Sequence, residues 1–137
     1  VNNEPLIILA EDNSADVFIV RMALSDSSLG SNLRVLSDGE EALRFLADVE
    51  KGAEPVPDLW LLDLNLPKYS GLAVLEKIRA SSKCQSLKVI VITSSNSPAD
   101  RADAARLDAV YYFLKPNDVS EFLKISSLVR EALEGRS

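Results

Sequence analysis

Histidine is absent from these 137 residues. The chain therefore has no imidazole for acid–base catalysis, no serine-type triad and no phosphohistidine of its own. A single cysteine, Cys84, excludes an intramolecular disulfide and a zinc-ligand set; near the end of a helix, it reads as a chance surface thiol. No apolar run approaches the length that spans a bilayer, and the opening VNNEP is not a signal peptide. The expectation is one cytoplasmic, non-membrane domain over residues 1–137. Basic residues are in deficit, with 15 Lys plus Arg against 21 Asp plus Glu and a formal net charge of −6. That balance disfavours direct nucleic-acid binding, which needs cations to neutralise phosphates. Hydrophobic residues make up 47%, enough to build a core and too many for a disordered chain.

Five short apolar runs stand out: LIILA (6–10), LRVL (33–36), LWLLDL (59–64), LKVIVIT (87–93) and VYYFL (110–114). The first, third and fourth are nearly continuous rather than alternating, the pattern of strands covered on both faces. Between and after them, apolar residues recur at helical spacing: Val17, Val20, Leu24; Ala42, Phe45, Leu46, Val49; Leu72, Leu75, Ile78; and Val119, Phe122, Val129, Leu133. Asp38 with Glu41 forms a capping-box pattern, Gly52 a helix stop, Ser70 a cap, Ser97-Pro98 a helix start, and Gly135 a final stop. The segment from Pro98 to Leu107 has little apolar stripe. Five strands alternating with five helices predict an α/β (βα)5 fold. It is a flavodoxin-like, doubly wound, five-stranded parallel sheet in the order 2-1-3-4-5.

In such a sheet all strands end on one edge, where ligands bind. Glu11 and Asp12 follow the first strand, Asp63 ends the third, Thr93 the fourth, and Lys115, followed by Pro116, the fifth. Three carboxylates thus converge, and two such charges about 4 Å apart repel by roughly 4 kcal/mol at an effective dielectric of 20. Lys115 is the fixed positive charge that answers them, and Mg²⁺, a hard cation suited to oxygen ligands, the exchangeable one. This set suits phosphoryl transfer, with Asp63 attacking phosphorus in line. Asp12 would bind the metal, Glu11 would bind it directly or through water, and the Asn65 carbonyl could add a ligand. Thr93 and Lys115 would each meet a phosphoryl oxygen. Trp60 is expected in the core opposite Asp63, with Tyr111 and Tyr112 on opposite sheet faces.

The phrases AEDN (10–13), LLDLNLPKYSG (61–71), VITSSN (91–96) and YFLKP (112–116) resemble CheY-like receiver domains of two-component response regulators over essentially the whole chain. EDNSADV and LNLPK look most like stand-alone regulators paired with phytochrome-type histidine kinases. The resemblance implies that Asp63 takes its phosphoryl group from a sensor kinase's phosphohistidine, the receiver catalysing only its own phosphorylation and dephosphorylation. Thr93 would shift toward that group and Tyr112 rotate inward behind it. Asn65 and Ser95 would tune dephosphorylation, and the Lys115–Pro116 bond would be cis. The face made by the fourth helix, fifth strand and fifth helix would change its partner preference and could pair two copies of the chain. Two departures matter: PKYSG replaces the usual Met-Asp-Gly ending, and Asp108 stands where glycine commonly ends the fourth helix. The rival readings are a phosphorylation-independent binding scaffold and an aspartyl-phosphate phosphohydrolase. The latter commonly carries a second aspartate where this chain has Asn65. Kinase, stimulus and downstream target are not encoded in any motif. The chain ends without an output domain, which fits either a regulator that acts alone or a trimmed one.

Overall fold

The computed structural model describes residues 4–26, 29–30 and 32–135. Five parallel strands, β1 (Ile7–Ala10), β2 (Leu33–Leu36), β3 (Leu59–Leu62), β4 (Val89–Thr93) and β5 (Tyr111–Leu114), form one sheet in the order β2-β1-β3-β4-β5, as expected. Between them run α1 (Ser14–Asp26), α2 (Gly39–Glu50), α3 (Gly71–Ala80) and α4 (Pro98–Arg106). The expected fifth helix is split into α5 (Val119–Phe122) and α6 (Ile125–Glu134). The Ser126 hydroxyl donates to the Leu123 carbonyl at 3.2 Å, and the Lys124 and Ser127 N–H groups bond three residues back, to Glu121 and Lys124. Such short-range bonds tighten a helix locally and interrupt its regular ladder.

β1, β3 and β4 are buried along their whole length, which explains their continuous apolar composition. Alternate residues serve opposite layers. Ile8, Ala10, Trp60 and Leu62 pack with Phe45, Leu46, Leu75 and Ile78 of α2 and α3. Ile7, Leu9, Leu59 and Leu61 pack with Val20 and Leu24 of α1 and Ile125 and Val129 of α6. Trp60 is fully buried, edge-on to Phe45 with ring centroids 5.9 Å apart. Tyr111 and Tyr112 do fall into different clusters. α4 is the exception to apolar docking, with Ala104 its one buried residue.

The caps form where the sequence placed them. Asp38 accepts from the Glu41 N–H, although the Glu41 carboxylate reaches Ser37 N–H rather than closing the box on Asp38. Ser70 and Ser97 cap α3 and α4, and Gly52, at φ 81°, terminates α2. Asp108 occupies the left-handed region, φ 62°, at the turn after α4. Arg79 holds that turn: its guanidinium donates to the carbonyls of Leu107 (2.7 Å), Asp108 (3.1 Å), Leu87 (2.6 Å) and Gln85 (3.2 Å).

Two expectations are corrected. Cys84 is buried among Trp60, Leu75 and Ile78 rather than exposed. α3 has already ended at Ala80, and the following turn, in which Cys84 N–H donates to Ser81 Oγ, folds the thiol inward. The Lys115–Pro116 bond is trans, because no described peptide bond is cis; trans is the intrinsic preference of an X–Pro bond by about 0.5–1 kcal/mol.

Gly71 locks the end of β3 to the start of α3. A Cβ there would lie 2.2 Å from the Asp63 carbonyl oxygen and 2.5 Å from Leu64 Cα, and the Gly71 N–H donates to the Leu64 carbonyl. Gly71→Ala must push the Asp63 backbone aside. It is expected to destabilise the protein by about 1–3 kcal/mol in urea unfolding, the usual cost of forced overpacking.

Candidate functional site

The parallel register sets the site. Ala10 is level with Leu36 and with Leu62, so Glu11 and Asp63, each the next residue, emerge side by side at the carboxyl edge. The Asp63 N–H still donates to the Ala10 carbonyl at 3.1 Å, although Asp63 lies just past β3. Thr93 is level with Leu114, and Lys115 N–H donates to the Thr93 carbonyl. The sheet therefore carries Glu11, Asp63, Thr93 and Lys115 to one place.

Carboxylate oxygens of Glu11, Asp12 and Asp63 lie within 4.8 Å of one another. Glu11 and Asp63 are buried, whereas Asp12 is exposed, so the group opens to solvent on the Asp12 side. An all-oxygen donor set fits a hard divalent cation such as Mg²⁺.

Lys115, its side chain only 11% exposed, reaches three carboxylates: Asp16 Oδ2 at 2.8 Å, Glu11 Oε1 at 2.9 Å and Asp63 Oδ2 at 3.0 Å. Burial alone would lower the affinity of this ammonium for its proton. Its bonds to Asp16, Glu11 and Asp63 outweigh that and hold it above the ordinary lysine value. Glu11 responds in the opposite way to crowding. Burial pushes its carboxyl up to about 7, against the hydrogen bond from Lys115, and the charge of Asp63 adds to the rise.

Of the expected residues, Asn65 sits at the mouth. Its N–H donates to Asp63 Oδ1 at 3.0 Å and its side-chain amide to Thr93 Oγ1 at 3.4 Å. Thr93 is buried and also accepts from Ser95 N–H. The Ser95 hydroxyl turns to the first turn of α4, bonding Asp100 Oδ2 at 2.6 Å. Tyr112 donates its hydroxyl to the Ser95 carbonyl at 2.9 Å, and the Arg101 guanidinium lies 4.4 Å from its ring centroid.

Asp16, Arg101 and Asp100 were not singled out from the sequence. Asp16 reads there as an acidic residue in the first turn of a helix, a common placement. Nothing local says that a lysine 99 positions away will reach it.

The family described as Response regulator receiver domain matches residues 7–126. Response regulator Rcp1 of Synechocystis sp. is 34% identical over 90% of this chain and 85% of that protein. The probable methanogenesis regulatory protein FilR2 of Methanothrix harundinacea is 31% identical over 92% of this chain and 81% of that protein. Among solved structures, the phosphorylated cyanobacterial phytochrome response regulator RcpA superposes with TM-score 0.88 at 31% identity, covering 98% of each chain. The Mn²⁺-bound form of Rcp1 superposes with TM-score 0.86 at 32% identity, covering 97% of each. Fold, strand-end carboxylates, lysine and relatives agree: the chain belongs to the response regulator receiver family.

Proposed function

We propose that Asp63 is the phosphoryl acceptor of a single-domain cytoplasmic receiver spanning the chain, supplied by the phosphohistidine of a phytochrome-type sensor histidine kinase. The observation that carries this is the buried Asp63 carboxylate, which shares one lysine with Glu11 beside the solvent-open Asp12. A carboxylate oxygen of Asp63 forms a bond to phosphorus while the phosphorus–nitrogen bond of the donor breaks, and the departing imidazole keeps the electron pair. Glu11, Asp12 and Asp63 would hold Mg²⁺, with the Asn65 carbonyl a further ligand. When bound, that ion supplies positive charge to the phosphoryl oxygens. Lys115 supplies a second, fixed positive charge, and the Thr93 hydroxyl a hydrogen bond. Asn65, whose N–H already holds Asp63 Oδ1, borders the position from which water would attack the acyl phosphate. Ser95 acts there only through its backbone, because its hydroxyl is engaged by Asp100. The Mn²⁺-bound Rcp1 relative and the phosphorylated RcpA relative support the same reading by likeness.

The response to phosphorylation runs through Tyr112, which links β5 to the loop before α4. Movement of Thr93 toward the phosphoryl group disturbs the Ser95 N–H bond and with it the carbonyl that holds the Tyr112 hydroxyl. The output face is α4, β5 and α5–α6, where Val110 and Leu114 are exposed.

Intact-protein mass after incubation with a small acyl phosphate tests the acceptor. One phosphoryl group is expected on the unmutated chain with Mg²⁺, and none on Asp63→Asn or after chelation. No gain in the unmutated protein would favour the scaffold reading, and turnover of a phosphate ester the hydrolase reading. Glu11 generates a pH prediction. Its folded-state value, about 7 against an ordinary 4.5, means that the folded chain holds a proton the unfolded chain has released in that interval. Stability of the chelated protein therefore falls as pH rises from 4.5 through 7. Urea midpoints should show that fall, and Glu11→Gln should flatten it. For the output face, light scattering should show dimers after phosphorylation; monomers in both states would remove self-association from the reading.

A further inference from the structure

Each of the three N–H bonds of the Lys115 ammonium has a carboxylate within reach, and the three partners differ in what else they do. Glu11 and Asp63 belong to the carboxylate group that also includes Asp12; Asp16 lies outside it. Under the reading above, on which this inference rests, Glu11 and Asp63 turn toward the metal, and an oxygen of Asp63 becomes bonded to phosphorus. Asp16 is the partner of Lys115 that phosphoryl transfer leaves chemically unchanged. It also makes the shortest of the three contacts, 2.8 Å. Its backbone is fixed in the first turn of α1, where its N–H bonds Asn13 Oδ1 at 3.0 Å and the Val17 N–H bonds the Asn13 carbonyl.

We propose that Asp16 is a positioning residue that anchors the Lys115 ammonium at the site while Glu11 and Asp63 engage the metal and the phosphoryl group. The donor of Lys115 that faces Asp63 is thereby left for a phosphoryl oxygen. Two other roles fit the geometry less well. A carboxylate that only complements the helix dipole needs no lysine, yet the Asp16 side chain is only 20% exposed and bonded across the molecule to Lys115. A carboxylate that withholds the lysine from Asp63 would draw it away, yet Lys115 contacts all three acids at once.

The test uses the full chain with ¹⁵N-labelled lysine and reads hydrogen exchange of the Lys115 ammonium without metal, with Mg²⁺ alone, and with Mg²⁺ plus a small acyl phosphate. In the unmutated protein the ammonium should stay protected throughout. In Asp16→Asn it should be protected without metal, by Glu11 and Asp63, and exchange about tenfold faster or more once Mg²⁺ is added, as expected for loss of a charge-assisted hydrogen bond. Phosphorylation of Asp16→Asn at saturating Mg²⁺ should slow by about tenfold, the scale of a mispositioned catalytic group. Its Mg²⁺ affinity should fall much less. Asp16→Glu, which keeps the charge on a longer stem, should recover part of both losses, and it serves as the variant if Asp16→Asn does not fold. Loss of ammonium protection in the unmutated protein on adding Mg²⁺ would overturn the proposal. So would an Asp16→Asn protein that keeps its protection, or one that phosphorylates as fast as or faster than the unmutated chain. Failure of the unmutated chain to take phosphate would instead overturn the acceptor reading, and the ammonium measurement would still decide whether Asp16 holds Lys115.

Discussion

One ammonium group, that of Lys115, makes the carboxyl edge of the sheet possible. Glu11, Asp16 and Asp63 come from the end of β1, the start of α1 and the end of β3, and all three meet Lys115 at the end of β5. Two of these acids are almost wholly removed from water, where an unpaired charge is expensive and like charges repel strongly. The lysine is buried too, and is stabilised by the acids it gathers. With three acids on one cation, and Asp12 beside them, the cluster keeps an excess of negative charge. Burial, with the charge of Asp63 adding to it, raises the Glu11 value toward neutrality, and the residual charge disposes the site to a divalent cation.

The loops around this cluster are held by backbone fit. Gly71 lets α3 start against the Asp63 carbonyl, and Gly39 lets α2 start against the Tyr69 backbone, where a Cβ would come within 2.2 Å of the Tyr69 carbonyl oxygen. Lys68, in the left-handed region at φ 73°, ties the same loop to Glu40 at 2.9 Å and to Asp38 at 3.5 Å. The unusual PKYSG segment is therefore a turn latched to the start of α2. Those surface ion pairs contribute little by themselves; the close backbone approaches set the geometry.

On the other side of Asp63 the structure is held differently. α2 and α3 are secured by apolar burial, whereas α4 buries one alanine and is secured largely by polar contacts. Arg79 ties its C-terminal turn, through the carbonyls of Leu107 and Asp108, to those of Gln85 and Leu87 before β4, while its N-terminal end is linked through Ser95, Asp100, Arg101 and Tyr112. Directional contacts of this kind can exchange partners without exposing a hydrophobic face, and apolar docking cannot. The N-terminal end of α4, next to Thr93, is thus held by directional polar contacts rather than by apolar docking.

Much of this was written locally along the chain. Helix starts and stops and the gathering of Glu11, Asp12, Asp63, Thr93 and Lys115 follow from periodicity, caps and the rule that parallel strands end together, and the strand order is the common one for five strands alternating with five helices. The left-handed Asp108 was legible through the family resemblance alone, as a residue standing in a glycine's place. What the sequence could not determine depends on contacts between distant segments. Asp16 looked like an ordinary first-turn acid until Lys115 was found beside it, and Cys84 looked exposed until the turn after α3 folded it under. The Ser95 hydroxyl faces α4 because Asp100 accepts its hydrogen bond. The break after Leu123 and the trans Lys115–Pro116 bond likewise lay beyond the pattern of apolar residues. Sequence determined which chemistry reaches the edge, because the residues that end or follow each apolar run stand at a strand's carboxyl end and parallel strands end together. Tertiary structure decided which acid holds the lysine, because that depends on where helices pack around the sheet.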